Sequence, residues 1–288
     1  MISLRNLTRC VALGAAALLL ATSLAAEPAQ AVVLFADNFD SADSSDINAD
    51  HASRQSGLVA PAEYDDIGPG TAAINNNQAL LAPSNSQSVV IVPQVDFADG
   101  AVGAAIASAG GFVVDVDFTP VLNAGDVDWA GVSFGHDSTF TTSGPHANST
   151  DFGMIFFRTG GFTRFGDGSS SGGPYDTSAP TVGESYHLQL LVETANFASG
   201  TPATVNAFIN GVQLNLNGAA PGSQFDFTWD GELTNYFAFE TREFNALFDN
   251  LQISTLETAA VVPEPSTVVL LGLGLVGLLG YGWRRCVR

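Results

Sequence analysis

The chain has no lysine, and all nine of its basic residues are arginine. It has two cysteines, Cys10 and Cys286, close to its two ends. The body between them cannot form an internal disulfide and must hold together by packing, with or without a metal. Cationic side chains are scarce as well. Residues 32–262 carry Arg54, Arg158, Arg164 and Arg242 against 27 of the chain's 29 acidic residues, a formal charge of −23. A field of that sign excludes nucleic acid as a partner and favours solubility and divalent cations. Catalytic signatures are missing too: there is no Gly-x-Ser-x-Gly elbow, no His-Glu-x-x-His and no phosphate loop. The body shows no internal repeat and no convincing helical stripe. Residues 100–109 come nearest to one, but their small side chains bury little.

Period-two alternation is present throughout. Phe112, Val114, Val116 and Phe118 fall on one face of their segment, with Asp115 and Asp117 on the other. Tyr186, Leu188, Leu190 and Val192 repeat this pattern and turn His187 outward. Residues 203–209 run into Asn210-Gly211, a type I′ turn pair, and residues 212–216 can return as the partner strand. Further strand candidates are 32–35, 78–81, 88–92, 129–134, 151–157, 224–229, 236–240 and 246–254. A dozen strands without crossover helices predict an all-β fold, an antiparallel β-sandwich of the jelly-roll kind.

The two ends read as addresses. Arg5 and Arg9, the apolar residues 11–21 and Ala29-Gln30-Ala31 predict a signal peptide over 1–31, cut by signal peptidase so that the mature chain begins at Val32, with Ser23-Leu24-Ala25 as an earlier alternative site. At the other end Pro263-Glu264-Pro265-Ser266 precedes an uncharged stretch, residues 267–283. As a helix this stretch is about 25 Å long, near the lower limit for a membrane span. Tyr281 and Trp283 close it, and Arg284, Arg285 and Arg288 follow as a cytoplasmic flank would. The expected domains are therefore 1–31 signal peptide, 32–258 sandwich and 259–288 tail.

This order of motif, span and basic end resembles the PEP-CTERM sorting signal of bacterial exported proteins. The resemblance implies an exosortase as processing partner, which would cut near Pro263, Glu264, Pro265 and Ser266. It also implies a cell-envelope or extracellular location, with the tail as a transient transmembrane anchor. The body has its own likeness. Asp37-Asn38-Phe39-Asp40, the Asn210-Gly211 hairpin, residues 235–240 and Phe248-Asp249-Asn250-Leu251 resemble exported concanavalin/laminin-G-like jelly rolls. In such domains the first and last strands lie close together.

Chemistry in the body rests on few residues. Asp37, Asp40, Asp43, Asp46 and Asp50 form an acidic run, and calcium takes six to eight oxygens. If the terminal strands pair, Asp37, Asp40 and Asp249 are the candidate Ca2+ ligands, a structural cofactor. Asp126 and Asp128 form a weaker pair. Trp129, Tyr175 and Trp229 are the candidate glycan-stacking aromatics, with a core position the competing reading for both tryptophans. The Glu-x-Asp-x-x-Glu string of jelly-roll glycosidases is absent. Glu240-Thr241-Arg242-Glu243 is the nearest approach and reads as an exposed strand end. His136 and His146 flank a loop. The expectation is a non-catalytic structural or adhesive envelope component that meets extracellular polysaccharide. A carbohydrate-binding module, or a glycoside hydrolase with scattered carboxylates, is the alternative.

Overall fold

A computed structural model describes residues 30–257 apart from 69, 85–87, 123–128, 137–151, 159–162, 167–168, 171–180, 217–223, 230–235 and 243–244, together with residue 284. Ala31–Leu256 form one compact unit, and Met1–Gln30 with Glu257–Arg288 form another, of which only residues 30, 257 and 284 are described. No helix among the described residues is long and apolar enough to cross a membrane. The signal segment and the tail lie outside those residues.

The elements of the body run in this order. β1 is Val33–Asp37, the short helix α1 is His51–Arg54, and β2 is Gln55–Ser56. Next come β3 (Tyr64–Ile67), β4 (Gly70–Asn75), β5 (Gln78–Pro83), β6 (Ser88–Pro93) and helix α2 (Gly100–Ala109). β7 (Gly111–Leu122), β8 (Trp129–His136), β9 (Phe152–Arg158), β10 (Thr163–Gly166) and β11 (Ser169–Ser170) follow. The chain closes with β12 (Tyr186–Thr194), β13 (Pro202–Ile209), β14 (Val212–Gln213), β15 (Phe225–Thr228), β16 (Tyr236–Arg242) and β17 (Asn245–Thr255).

Two antiparallel sheets result. The first runs β14-β13-β12-β7-β17-β1-β2, with β15 on β13 and the β4–β5 hairpin joined to β17; the second runs β11-β10-β9-β8-β16-β6-β3. Their inner faces meet in one hydrophobic core. Phe112 of β7 packs edge-on against Phe134 of β8 at 5.4 Å, and Phe239 of β16 meets Phe248 of β17 at 5.0 Å. The body is thus the expected sandwich.

The terminal strands do lie together: Val33 pairs with Ser254, and Asp37 with Leu251. Val32, the expected first mature residue, donates its N–H to Thr255 Oγ1 (2.8 Å) and accepts from the Thr255 N–H (2.9 Å). The first and last strands of the body are therefore neighbours in this sheet. Asn210 and Gly211 both take positive φ, 49° and 75°, as the type I′ turn requires. The helix α2 is a departure from the sequence reading. Its start is fixed by Asp99, whose side chain accepts from the Gly100 N–H, and its end by Gly110 at φ 77°. It buries only Val102 and Ile106, so the caps mark it and the periodicity does not.

Candidate functional site

β1 ends in an inward-facing carboxylate, and the chain after it folds back to satisfy that group. Asp37 is fully buried. Its Oδ1 accepts from the Phe39 N–H (2.8 Å) and from Arg54 Nε (2.9 Å). Its Oδ2 accepts from Arg54 Nε (3.1 Å), Gln55 Nε2 (3.0 Å) and the Tyr64 hydroxyl (3.0 Å). Arg54 sends its two terminal nitrogens to the carbonyls of Ala49 and Ile47 and lies over the Phe39 ring at 5.6 Å. One ion pair thus ties β1, the loop before α1, β2 and β3 together. It also holds Phe39 at φ 53°, a left-handed conformation that is costly for a bulky residue. Burial, then the negative charge of Asp37 and the bond to it, push the Tyr64 hydroxyl well above the usual tyrosine range, against the opposing pull of Arg54.

Above this pair lies a shallow cavity of about 190 Å³, with Asn38, Ser56, Asn250 and Gln252 around it. It opens beside the outer face of the first sheet, which the alternation of β7 and β12 makes polar. There His187 Nδ1 stands 2.8 Å from Asp117 Oδ1, and Nε2 stands 3.2 Å from Asp115 Oδ1. A neutral imidazole has one N–H and serves one of these carboxylates; an imidazolium serves both. Gln189 donates to Asp115 (2.9 Å) and Asn250 to Asp117 (2.9 Å). Asp249 stands opposite Asp117 in register. Burial raises its carboxyl above the usual range, and the charges of Asp117 and Asp40 add to that against the bonds from Asn250 and Gln78.

These positions correct parts of the sequence reading. Asp37 is no metal ligand here, because Arg54, Gln55 and Tyr64 already occupy its oxygens. Asp40 and Asp249 feel each other's charge, but no group of three His, Cys, Asp or Glu fit to hold a metal occurs among the described residues. Trp229 is 1% exposed and sits against Phe197 and Phe227, with its Nε1–H donated to Thr194 Oγ1 at 2.8 Å. It belongs to the core and offers no face to a sugar. Trp129 opens β8, opposite Arg158 and Arg242. Tyr175, Asp126, Asp128 and His146 lie outside the described residues.

Glu240 departs from the sequence reading. Read as an exposed strand end, it is fully buried, and its cross-strand partners are Val90 and Gly131. Val90 and Val92 of β6 with Ala238 of β16 form a second small cluster. The signal available in sequence was the apolar character of residues 88–92, which lack the alternation of a strand with one wet face.

Residues 261–285 match the family model described as the PEP-CTERM protein-sorting motif. The chain carries a PEP-CTERM sorting signal. Its presence implies an exported protein that is processed by an exosortase, with Pro263, Glu264, Pro265 and Ser266 inside the matched segment. No curated protein matches the chain. Among solved structures, the body of this chain is similar to alginate lyase Aly36B in complex with an alginate trisaccharide. That match has 12% identity and a TM-score of 0.49, and covers 77% of this chain and 97% of the lyase. It is also similar to lectin I-B4 from Griffonia simplicifolia in its metal-free form, at 10% identity and a TM-score of 0.41, covering 67% and 93% of the two chains. The exoplasmic/lumenal domain of VIP36, in a Ca2+- and glycan-bound form, matches at 12% identity and a TM-score of 0.39 over 70% and 86%.

Proposed function

We propose that this chain is a non-catalytic structural or adhesive component of the cell envelope or extracellular matrix, built as one acidic β-sandwich. Signal peptidase releases its front end, and extracellular polysaccharide is its working partner. The observation that carries this reading is the engagement of three carboxylates, one in the core and two on the outer face of the first sheet. Asp37 is locked by Arg54, while Asp115 and Asp117 are engaged by His187, Gln189 and Asn250. Glycoside hydrolysis needs two facing carboxyl groups with free and opposed roles.

The test is to incubate the exported chain with extracellular polymer from its own host and with a panel of defined polysaccharides. New reducing ends, unsaturated uronates and polymer length are then measured. The reading expects no change in any of the three. Shortened polymer would overturn it.

A further inference from the structure

We infer that the outer face of the first sheet is a platform for an extended, uncharged polysaccharide, with Phe208 as its stacking residue. The inference rests on the adhesive reading above and gives it a surface and a ligand class.

The register places one row of side chains straight across seven strands. Gln213 pairs with Phe208, Phe208 with Gln189, and Gln189 with Asp115. Asp115 pairs with Gln252, Gln252 with Ala36, and Ala36 with Ser56. At about 4.8 Å per strand the row is roughly 29 Å long. It ends at the cavity bordered by Asn38, Ser56, Asn250 and Gln252.

Phe208 is the unusual member. On β13 its neighbours Ala207 and Val205 are buried in the core, whereas Phe208 points the other way and is partly exposed. A phenyl ring on a solvated face is covered by something apolar or stays wetted at a cost. Around it stand amides: Gln189 and Gln213 in its own row, and Asn206 two residues back on the same strand. Leu191, in register with Asn206, lies diagonal to the ring. A pyranose ring has a matching surface, with a C–H face to stack on the phenyl group and a rim of hydroxyls to exchange hydrogen bonds with amides.

Charge selects the kind of chain. Asp115 lies in the row, Asp117 and Asp249 in the next, and exposed Glu193 stands on β12. Carboxylates accept from sugar hydroxyls but repel uronates, sulfates and phosphates. No lysine exists to offset them, and Arg54 is buried beneath the cavity. A neutral glycan is therefore favoured over a polyanion.

The experiment is affinity electrophoresis of the exported chain through gels containing hydroxyethylcellulose, a neutral glucan, or alginate, a polyanion. The neutral gel should retard the chain and the alginate gel should not. Phe208→Ala should weaken the apparent affinity by about tenfold or more. Phe208→Tyr, which keeps the ring, should restore it, and Gln189→Ala should weaken it without touching the ring. Arg242→Gln, on the other sheet, should leave it unchanged. Wild-type retardation of Phe208→Ala, retardation by alginate alone, or no retardation in either gel would each overturn the platform. In those cases the structural reading stands, provided polymer length is unaltered. If the polymer is shortened instead, the non-catalytic reading fails and this inference falls with it.

Discussion

Asp37 has no contact with solvent, and four other residues donate to its carboxylate. A buried charge pair of this kind contributes little relative to an apolar substitute, but breaking it strands a charge in the core. Asp37→Asn or Arg54→Leu should therefore cost about 3–5 kcal/mol, read from denaturant melts. A loss below about 1 kcal/mol would mean that the pair is solvated. Asp249 behaves in the opposite sense. Its folded carboxyl is raised above the ordinary value, so the folded state holds that proton more tightly than the unfolded chain does. Ionisation then costs stability above the folded value, and acidification through that value restores it. Asp249→Asn should raise Tm at neutral pH, with or without added Ca2+, and the gain should fade as the pH falls into the carboxylate range. A lower Tm in the variant, recovered by no amount of acid, would point instead to a metal-ligand role. At this scale the sequence was only partly legible. The alternation of β12 correctly sent His187 outward, but nothing in the local pattern says that Asp37 meets an arginine 17 positions later. An acid-rich turn and a buried ion pair have the same composition.

Among the elements, β17 joins most of the first sheet: it pairs with β7 on one side and with β5 and β1 on the other. Its bulge between Asp249 and Gln252, with Asn250 at φ 50°, turns the strand from one neighbour to the next. Ile253 is fully buried in it, opposite Val114 and Phe35. Ile253→Ala should destabilise the domain by about 2–5 kcal/mol in urea or thermal melts. A near-neutral result would mean that β17 is not the central staple of this sheet. The strongly alternating strands β7, β12 and β13 were readable because each has one wet face and one buried one. β4 was not, since Gly-Thr-Ala-Ala-Ile-Asn has little β-propensity and forms a strand through its pairing with β5. β6 pairs on both sides, with β3 and β16, and carries buried Val89, Val90, Ile91 and Val92 in succession. Its partner residue Glu240 was misjudged for the same reason.

At the scale of the whole molecule, two addresses flank one acidic body. The sandwich closes only when its first strand meets its last, because Val32 and Thr255 bond across 223 positions of sequence. The C-terminal strand must therefore be present before the N-terminal strand can dock, and the sorting motif follows that strand directly. Residues 257–262 separate the end of the described sandwich from Pro263. The central claim is that this chain is exported and sorted through its C-terminal motif, and that the sandwich is what remains at its destination. Its most direct test is the intact mass, with both terminal sequences, of the protein recovered from the surface of its native host. The account predicts a chain that begins at Val32, ends close to Pro263-Glu264-Pro265 and lacks residues 267–288. A surface protein that still carries residues 267–288 would contradict it and make the tail a permanent anchor.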